Sequence, residues 1–109
     1  MASKRIPHPF TLVWTETFLR TARKFFRRHP EVKELFAGVL RQLENNPASP
    51  RLRLHPLQGR HRGKHAVQLT YEHRIVIVLR MTAREIVLLD VGSHDEVYRG
   101  DLPKEVVKY

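Results

Sequence analysis

Two apolar runs dominate the second half of the chain: RIVIVLRM at residues 74–81 and EIVLLDVG at 85–92, with Thr82-Ala83-Arg84 between them. Residues 75–79 are apolar on both faces, and the second run is apolar almost throughout. A strand with one wet face alternates apolar and polar residues, so a strand without alternation is covered on both sides. The short link joins the two runs as an antiparallel hairpin. That hairpin must lie at the centre of a sheet, and the rest of the chain must supply its cover.

The cover is legible upstream. In TETFLRTARKFFRR (15–28), Phe18, Leu19, Ala22, Phe25 and Phe26 recur at helical intervals. Thr15 is placed to cap that helix, and Glu16 suits the positive end of its dipole. A second helix is expected from Pro30 at its first position, with Val32, Leu35, Phe36, Val39, Leu40 and Leu43 as its stripe and Asn45-Asn46-Pro47 as its stop. With about two residues between them, the helices should form an antiparallel hairpin facing the sheet. FTLVW (10–14) alternates as an N-terminal strand. LRLHPL (52–57) reads as a strand that Pro56 pushes to an edge. HAVQLTY (65–71) alternates, with Val67, Leu69 and Tyr71 on a buried face. The expected class is α+β: an N-terminal strand and an antiparallel helical hairpin packed on a small, mostly antiparallel sheet of about four strands. The 109 residues suit one domain over 10–99, with an arm at 1–9 and a tail at 100–109.

Charge narrows the partner. Lysine and arginine number 20 against 11 aspartates and glutamates, a net +9, which points to an acidic partner, nucleic acid first. There is no cysteine, so disulfides and thiolate metal sites are excluded and a cytoplasmic location fits. No run approaches the ~20 apolar residues of a membrane-spanning helix, and MASKRIPHPF lacks the apolar centre of a secretory signal.

Polar residues gather in two stretches. RLRLHPLQGRHRGKH (51–65) holds Arg51, Arg53, Arg60, Arg62, Lys64 and three histidines without an acid, punctuated by Gly59 and Gly63. It suits a path for a phosphate chain, or equally a charged edge that discourages strand pairing. The second stretch, DVGSHDEVYRG (90–100), ends the last strand. Antiparallel pairing brings it beside the turn YEHRI (71–75), so that Glu72, His73 and Arg74 approach His94, Asp95, Tyr98 and Arg99. Metal binding is disfavoured: His61 and His65 are four apart, but Arg62-Gly63-Lys64 between them is poor helix and cationic. RNA cleavage without metal needs a base for the 2′-hydroxyl, an acid for the departing 5′-oxygen and cations for the phosphorane. His55, Glu72, His73, Arg74, His94, Tyr98 and Arg99 supply those types. The basic helix face, Arg20, Arg23, Lys24, Arg27 and Arg28, is either solvated or a contact surface.

HPLQG (55–59), the RIVIVL strand after its turn, and VGSHDEVY (91–98) together resemble the RelE/ParE superfamily of bacterial toxins, in its YafQ-like branch, over residues 10–99. The resemblance implies a type II toxin that enters the ribosomal A site and cuts mRNA with no metal or cofactor, and a cognate acidic antitoxin that neutralises it. It implies proton-transfer roles for His55 and His94, with Glu72 or His73 as partner and Tyr98 orienting a base or ribose. Arg74 would hold the scissile phosphate; Gln68, Arg60, Arg62, Lys64 and Arg99 would line the RNA path. Arg20, Arg23, Lys24, Arg27 and Arg28 would meet ribosomal RNA. Two departures stand out. Gln68 replaces a histidine of the branch and cannot act as a base, so Glu72, His73 or His94 takes over or activity is weak. Asp95 and Glu96 bring negative charge to the RNA path, or anchor Arg74 or Arg99. The same scaffold also hosts gyrase poisons and non-catalytic binding members.

Overall fold

The computed structural model describes residues 9–99. The expected arm and tail fall almost wholly at residues 1–8 and 100–109, outside the described residues, as do the side chains of Tyr98 and Arg99. In chain order the elements are β1 (Thr11–Trp14), α1 (Glu16–Arg28), a 3-10 turn (Pro30–Val32), α2 (Lys33–Asn45), a 3-10 turn (Pro50–Leu52), β2 (His55–Pro56), a 3-10 turn (Gly59–His61), β3 (His65–Gln68), β4 (His73–Arg80), β5 (Glu85–Ser93) and α3 (His94–Arg99). The sheet order is β1-β5-β4-β3-β2, with β1 parallel to β5 and every other pair antiparallel. The architecture is thus the expected α+β one. It has five strands rather than about four, because β1 adds to the β5 edge. A strand followed by helices rather than a tight turn is free to add in parallel.

The central hairpin is where its composition demands. Ile75, Val76, Ile77, Ile86, Val87, Leu88 and Leu89 are all wholly buried, each side chain contributing about 1.5–3 kcal/mol by leaving water. Period-two alternation divides them between two cores. Ile75, Ile77, Ile86 and Leu88 pack with Phe18, Ala22 and Phe25 of α1 and Phe36, Val39 and Leu43 of α2. Val76, Val87 and Leu89 pack on the opposite face with Val13, Leu57, Ala66 and Val97. A register shift between Val76 and Ile77 moves the β4 partner from Asp90 to Leu88, a bulge that adds local twist.

Thr15 fixes the start of α1. Its Oγ1 accepts the Phe18 N–H at 3.1 Å and donates to the Leu88 carbonyl at 2.8 Å, so the cap also pins the helix to β5. Several elements differ from expectation. Pro30 opens a 3-10 turn, and α2 starts at Lys33, which lengthens the link between the helices. Of LRLHPL only His55 and Pro56 pair with β3. Leu52 closes a 3-10 turn and Arg53 is left-handed at φ 51°, so the chain kinks where a longer strand was expected. β3 stops at Gln68, and Tyr71, expected to be buried, stands on a turn with 89% exposure. The stretch after Ser93 is the helix α3, whose Val97 seals the second core. No helix among the described residues is long and apolar enough to cross a membrane.

Candidate functional site

The beginning of β4 pairs with the end of β5, His73 opposite Ser93 and Arg74 opposite Gly92. The β3–β4 turn and the first turn of α3 therefore meet. Between them lies an open groove of about 500 Å³ lined by Tyr71, Glu72, Arg74, Ser93, His94 and Asp95.

One threonine organises the turn. Thr70 Oγ1 accepts the N–H groups of Glu72 (3.2 Å) and His73 (3.1 Å) and contacts His73 Nδ1 at 2.7 Å. A hydroxyl has two acceptor sites and one donor. With both sites taken by amides, the hydroxyl proton goes to His73 Nδ1, which leaves the neutral ring protonated at Nε2. Arg74 closes the turn from the other side: its Nη1 donates to the carbonyls of Thr70, Tyr71 and His73 at 3.1–3.2 Å. Nη2 and Nε make no hydrogen bond among the described residues, and Arg74 borders the groove. A guanidinium held by one nitrogen keeps a fork for a phosphate.

The start of α3 is a capping box. The Glu96 N–H donates to Ser93 Oγ at 3.1 Å, and the Ser93 N–H donates to Glu96 Oε1 at 2.9 Å. Glu96 Oε2 accepts from Arg28 Nη1 of α1 at 3.1 Å. The Ser93 bonds, and then Arg28, hold the Glu96 carboxyl below its usual range. Among the described residues, Glu96 thus answers Arg28 of α1. A Cβ on Gly92 would stand 2.9 Å from Glu96 Oε1, so the glycine is what lets the carboxylate fold back. His94, the first residue of α3, is thereby fixed at the rim, exposed and 3.9 Å from Asp95.

The other expected residues scatter. His73 turns under α1: its ring packs 4.9 Å from the Phe25 ring and 4.7 Å from that of His29. Desolvation first, then the His29 charge, depresses its pKa. His55 pairs with Ala66, which pairs with Val76, so its register position shares the α3-side face with Arg74. Two strand spacings and two residues put the His55 and Arg74 backbones ~12 Å apart. Gln68 pairs with Arg74 yet lines a separate groove of about 930 Å³ against α2, with Arg41, Arg51 and Arg53. Arg60, Arg62 and Lys64 belong to the loop between β2 and β3, where Gly59 (φ 63°) and Gly63 (φ 93°) make the turns. Arg20, Arg23, Lys24, Arg27 and Arg28 are all exposed on α1. Tyr98 and Arg99 lie on α3. Among the described residues, no group of three histidines and carboxylates is placed to hold a metal ion.

The groove can therefore bind an anion through Arg74 and offers an imidazole and carboxylates for proton exchange. Sequence reasoning passed over Thr70, Tyr71, Gly92 and the bond between Ser93 and Glu96. Only the last had a readable signal, S-x-x-E at residues 93–96.

No family model and no curated protein sequence matches the chain. Solved structures do. YafQ from E. coli strain BL21(DE3) superposes with a TM-score of 0.69 at 14% identity, covering 82% of this chain and 98% of that one. The YoeB/ParE toxin from Agrobacterium tumefaciens gives 0.65 at 22% identity, over 78% and 99%. The E. coli DinJ-YafQ toxin-antitoxin complex gives 0.68 at 14% identity, over 83% and 98%. The chain shares the fold of YafQ and of the YoeB/ParE toxin.

Proposed function

We propose that this protein is the toxin of a type II toxin-antitoxin pair and cuts mRNA in the ribosomal A site without a metal. The observation that carries the reading is the groove where Arg74, Glu72 and His94 meet on a fold shared with YafQ. An acidic antitoxin partner is supported by the DinJ-YafQ complex and by the +9 charge. Its place of action is the cytoplasm, where ribosomes translate.

In this reading Arg74 Nη2 and Nε grip the scissile phosphate. Glu72 takes the proton from the 2′-hydroxyl, whose oxygen attacks phosphorus. The bond to the 5′-oxygen breaks, and His94 protonates that oxygen as it leaves. The products are a 2′,3′-cyclic phosphate and a 5′-hydroxyl. His55, ~12 Å from Arg74 along the sheet, reaches a flanking nucleotide rather than the scissile one. Gln68, which lines the groove against α2, stands apart from this chemistry. His73, packed under α1, orders the turn that carries Glu72 and Arg74. The basic faces of α1 and the β2–β3 loop meet ribosomal RNA.

The test is cleavage of mRNA on programmed ribosomes with mapped fragment ends. Wild type is expected to cut. Glu72→Gln and His94→Ala should each lose on the order of 10²-fold or more in kcat, the usual contribution of a proton-transfer group, and His55→Ala less. Wild type that leaves mRNA intact, or a His94→Ala variant that cuts like wild type, rejects the assignment.

A further inference from the structure

Tyr71 lines the groove and has no part in the chemistry above. The residue is 89% exposed, against 62% for Met81 and 40% for Leu35, the other large apolar residues that face water among the described residues. An exposed side chain is ordinary on a loose loop. This one stands on a turn fastened at every peptide. Thr70 Oγ1 takes the N–H groups of Glu72 and His73, Arg74 Nη1 binds the carbonyls of Thr70, Tyr71 and His73, and the Leu69 N–H meets the His73 carbonyl at 2.9 Å. The backbone is set before anything binds, so only the two side-chain torsions of Tyr71 remain to be ordered.

We infer that Tyr71 is a stacking platform for an unpaired nucleobase of the strand whose phosphate Arg74 holds. The inference rests on the nuclease reading for the identity of that strand. Three observations support a base rather than an apolar protein surface. The ring is single and flanked by charge, Glu72 on one side and Arg74 two residues further on, which suits a flat amphipathic partner. The guanidinium donates to the Tyr71 carbonyl and both residues line one groove, so a phosphate on Arg74 brings its own base within reach. Asp95, a carboxylate with no part in the chemistry above, lines the same groove. It repels phosphate but accepts hydrogen bonds from exocyclic amino groups, so the base, not the backbone, is the part of a nucleotide that fits next to the ring. The His73 ring is packed under α1 against Phe25. The exposed aromatic of this turn is Tyr71 instead.

The probe is a short single-stranded oligoribonucleotide carrying 2-aminopurine, whose fluorescence falls when the base stacks on an aromatic ring. With the full chain at low salt, wild type is expected to quench it. Tyr71→Ala should weaken binding on the order of ten-fold or more, the usual effect of removing one stacking aromatic, and abolish the quench. Tyr71→Phe and Tyr71→Trp should retain both. Melting temperatures should be unchanged, because the ring packs against little. On programmed ribosomes Tyr71→Ala should raise KM and leave kcat within a few-fold. A Tyr71→Ala protein that quenches like wild type, a wild type that leaves the probe bright, or a Tyr71→Phe protein as weak as Tyr71→Ala each overturns the inference. Quenching by a wild type that fails to cut mRNA would reject the nuclease reading and keep the platform.

Discussion

Two imidazoles make stability depend on pH. His65 has a buried Nδ1 with no hydrogen-bond partner, and burial, then the His55 charge, depresses its pKa. His73 is depressed by burial, by His29 and by Arg74, against the pull of Glu72 and Glu96. Both folded values lie below the unfolded 6.5. The stability from keeping these rings neutral is therefore fully present above pH 6.5 and is lost as pH falls through the folded values. Asp90 acts in the opposite sense: burial raises its carboxyl above 3.8, so its contribution is present below that value and declines as pH rises through the folded one. The expected outcome is a melting temperature that is level at about pH 7.5 and falls on acidification to about pH 5.5. His73→Gln should make that fall shallower, and calorimetry at the two pH values reads both. The sequence gives the number of histidines but not their aim. Glu72, His73 and Arg74 are consecutive, yet strand alternation and the Thr70 turn send His73 under α1 and leave its neighbours at the groove.

Among the elements, β4 and β5 were legible because consecutive buried residues leave no other reading, and α1 because Thr15 and its apolar stripe agree. Thr15→Ala should cost about 1–2 kcal/mol for the lost cap, and about 1–3 more because the buried Leu88 carbonyl loses its side-chain donor. Urea titration measures it, and an effect under about half a kcal/mol would show that the cap is redundant. The short elements were not legible. β2 is two residues long because a proline and the left-handed Arg53 bracket its pairing. α3 is six residues long, below the length at which a helix is stable alone. It exists because Ser93 and Glu96 cap each other, Arg28 holds Glu96 from 68 residues away, and Val97 enters the second core. Gly92→Ala tests this directly. The new Cβ would displace Glu96, break the capping box and cost about 1 kcal/mol. The His94 ring signals in NMR should shift while those of the β4–β5 core stay put.

At the scale of the whole molecule, net charge was legible and its distribution was not. The +9 is carried on separate surfaces: Arg20, Arg23 and Arg27 on exposed α1, and Arg60 and Arg62 on the β2–β3 loop. Parallel addition of β1 to β5 was also hidden, since nothing in a four-residue strand names its partner. A protein that meets RNA through such surfaces releases counterions when it binds, and its affinity falls with salt as a power law. Ribosome affinity measured over a range of salt should therefore fall linearly on logarithmic axes. Each arginine that contacts a phosphate should contribute about 0.7–0.9 to the slope. Replacing Arg20, Arg23 and Arg27 together by alanine should flatten the line by about 2–3 if all three touch phosphates, and replacing Arg60 and Arg62 by less than that. Folding should be unaffected, because these side chains are exposed. Arg28 is left out of the set because Glu96 already holds it. Slopes that neither set of substitutions changes would mean that the basic faces serve solubility alone. Recognition would then rest on the groove at Arg74. If only the α1 set flattens the line, the helix face is the ribosome-binding surface and the β2–β3 loop is the charged edge that strand pairing alone would call for.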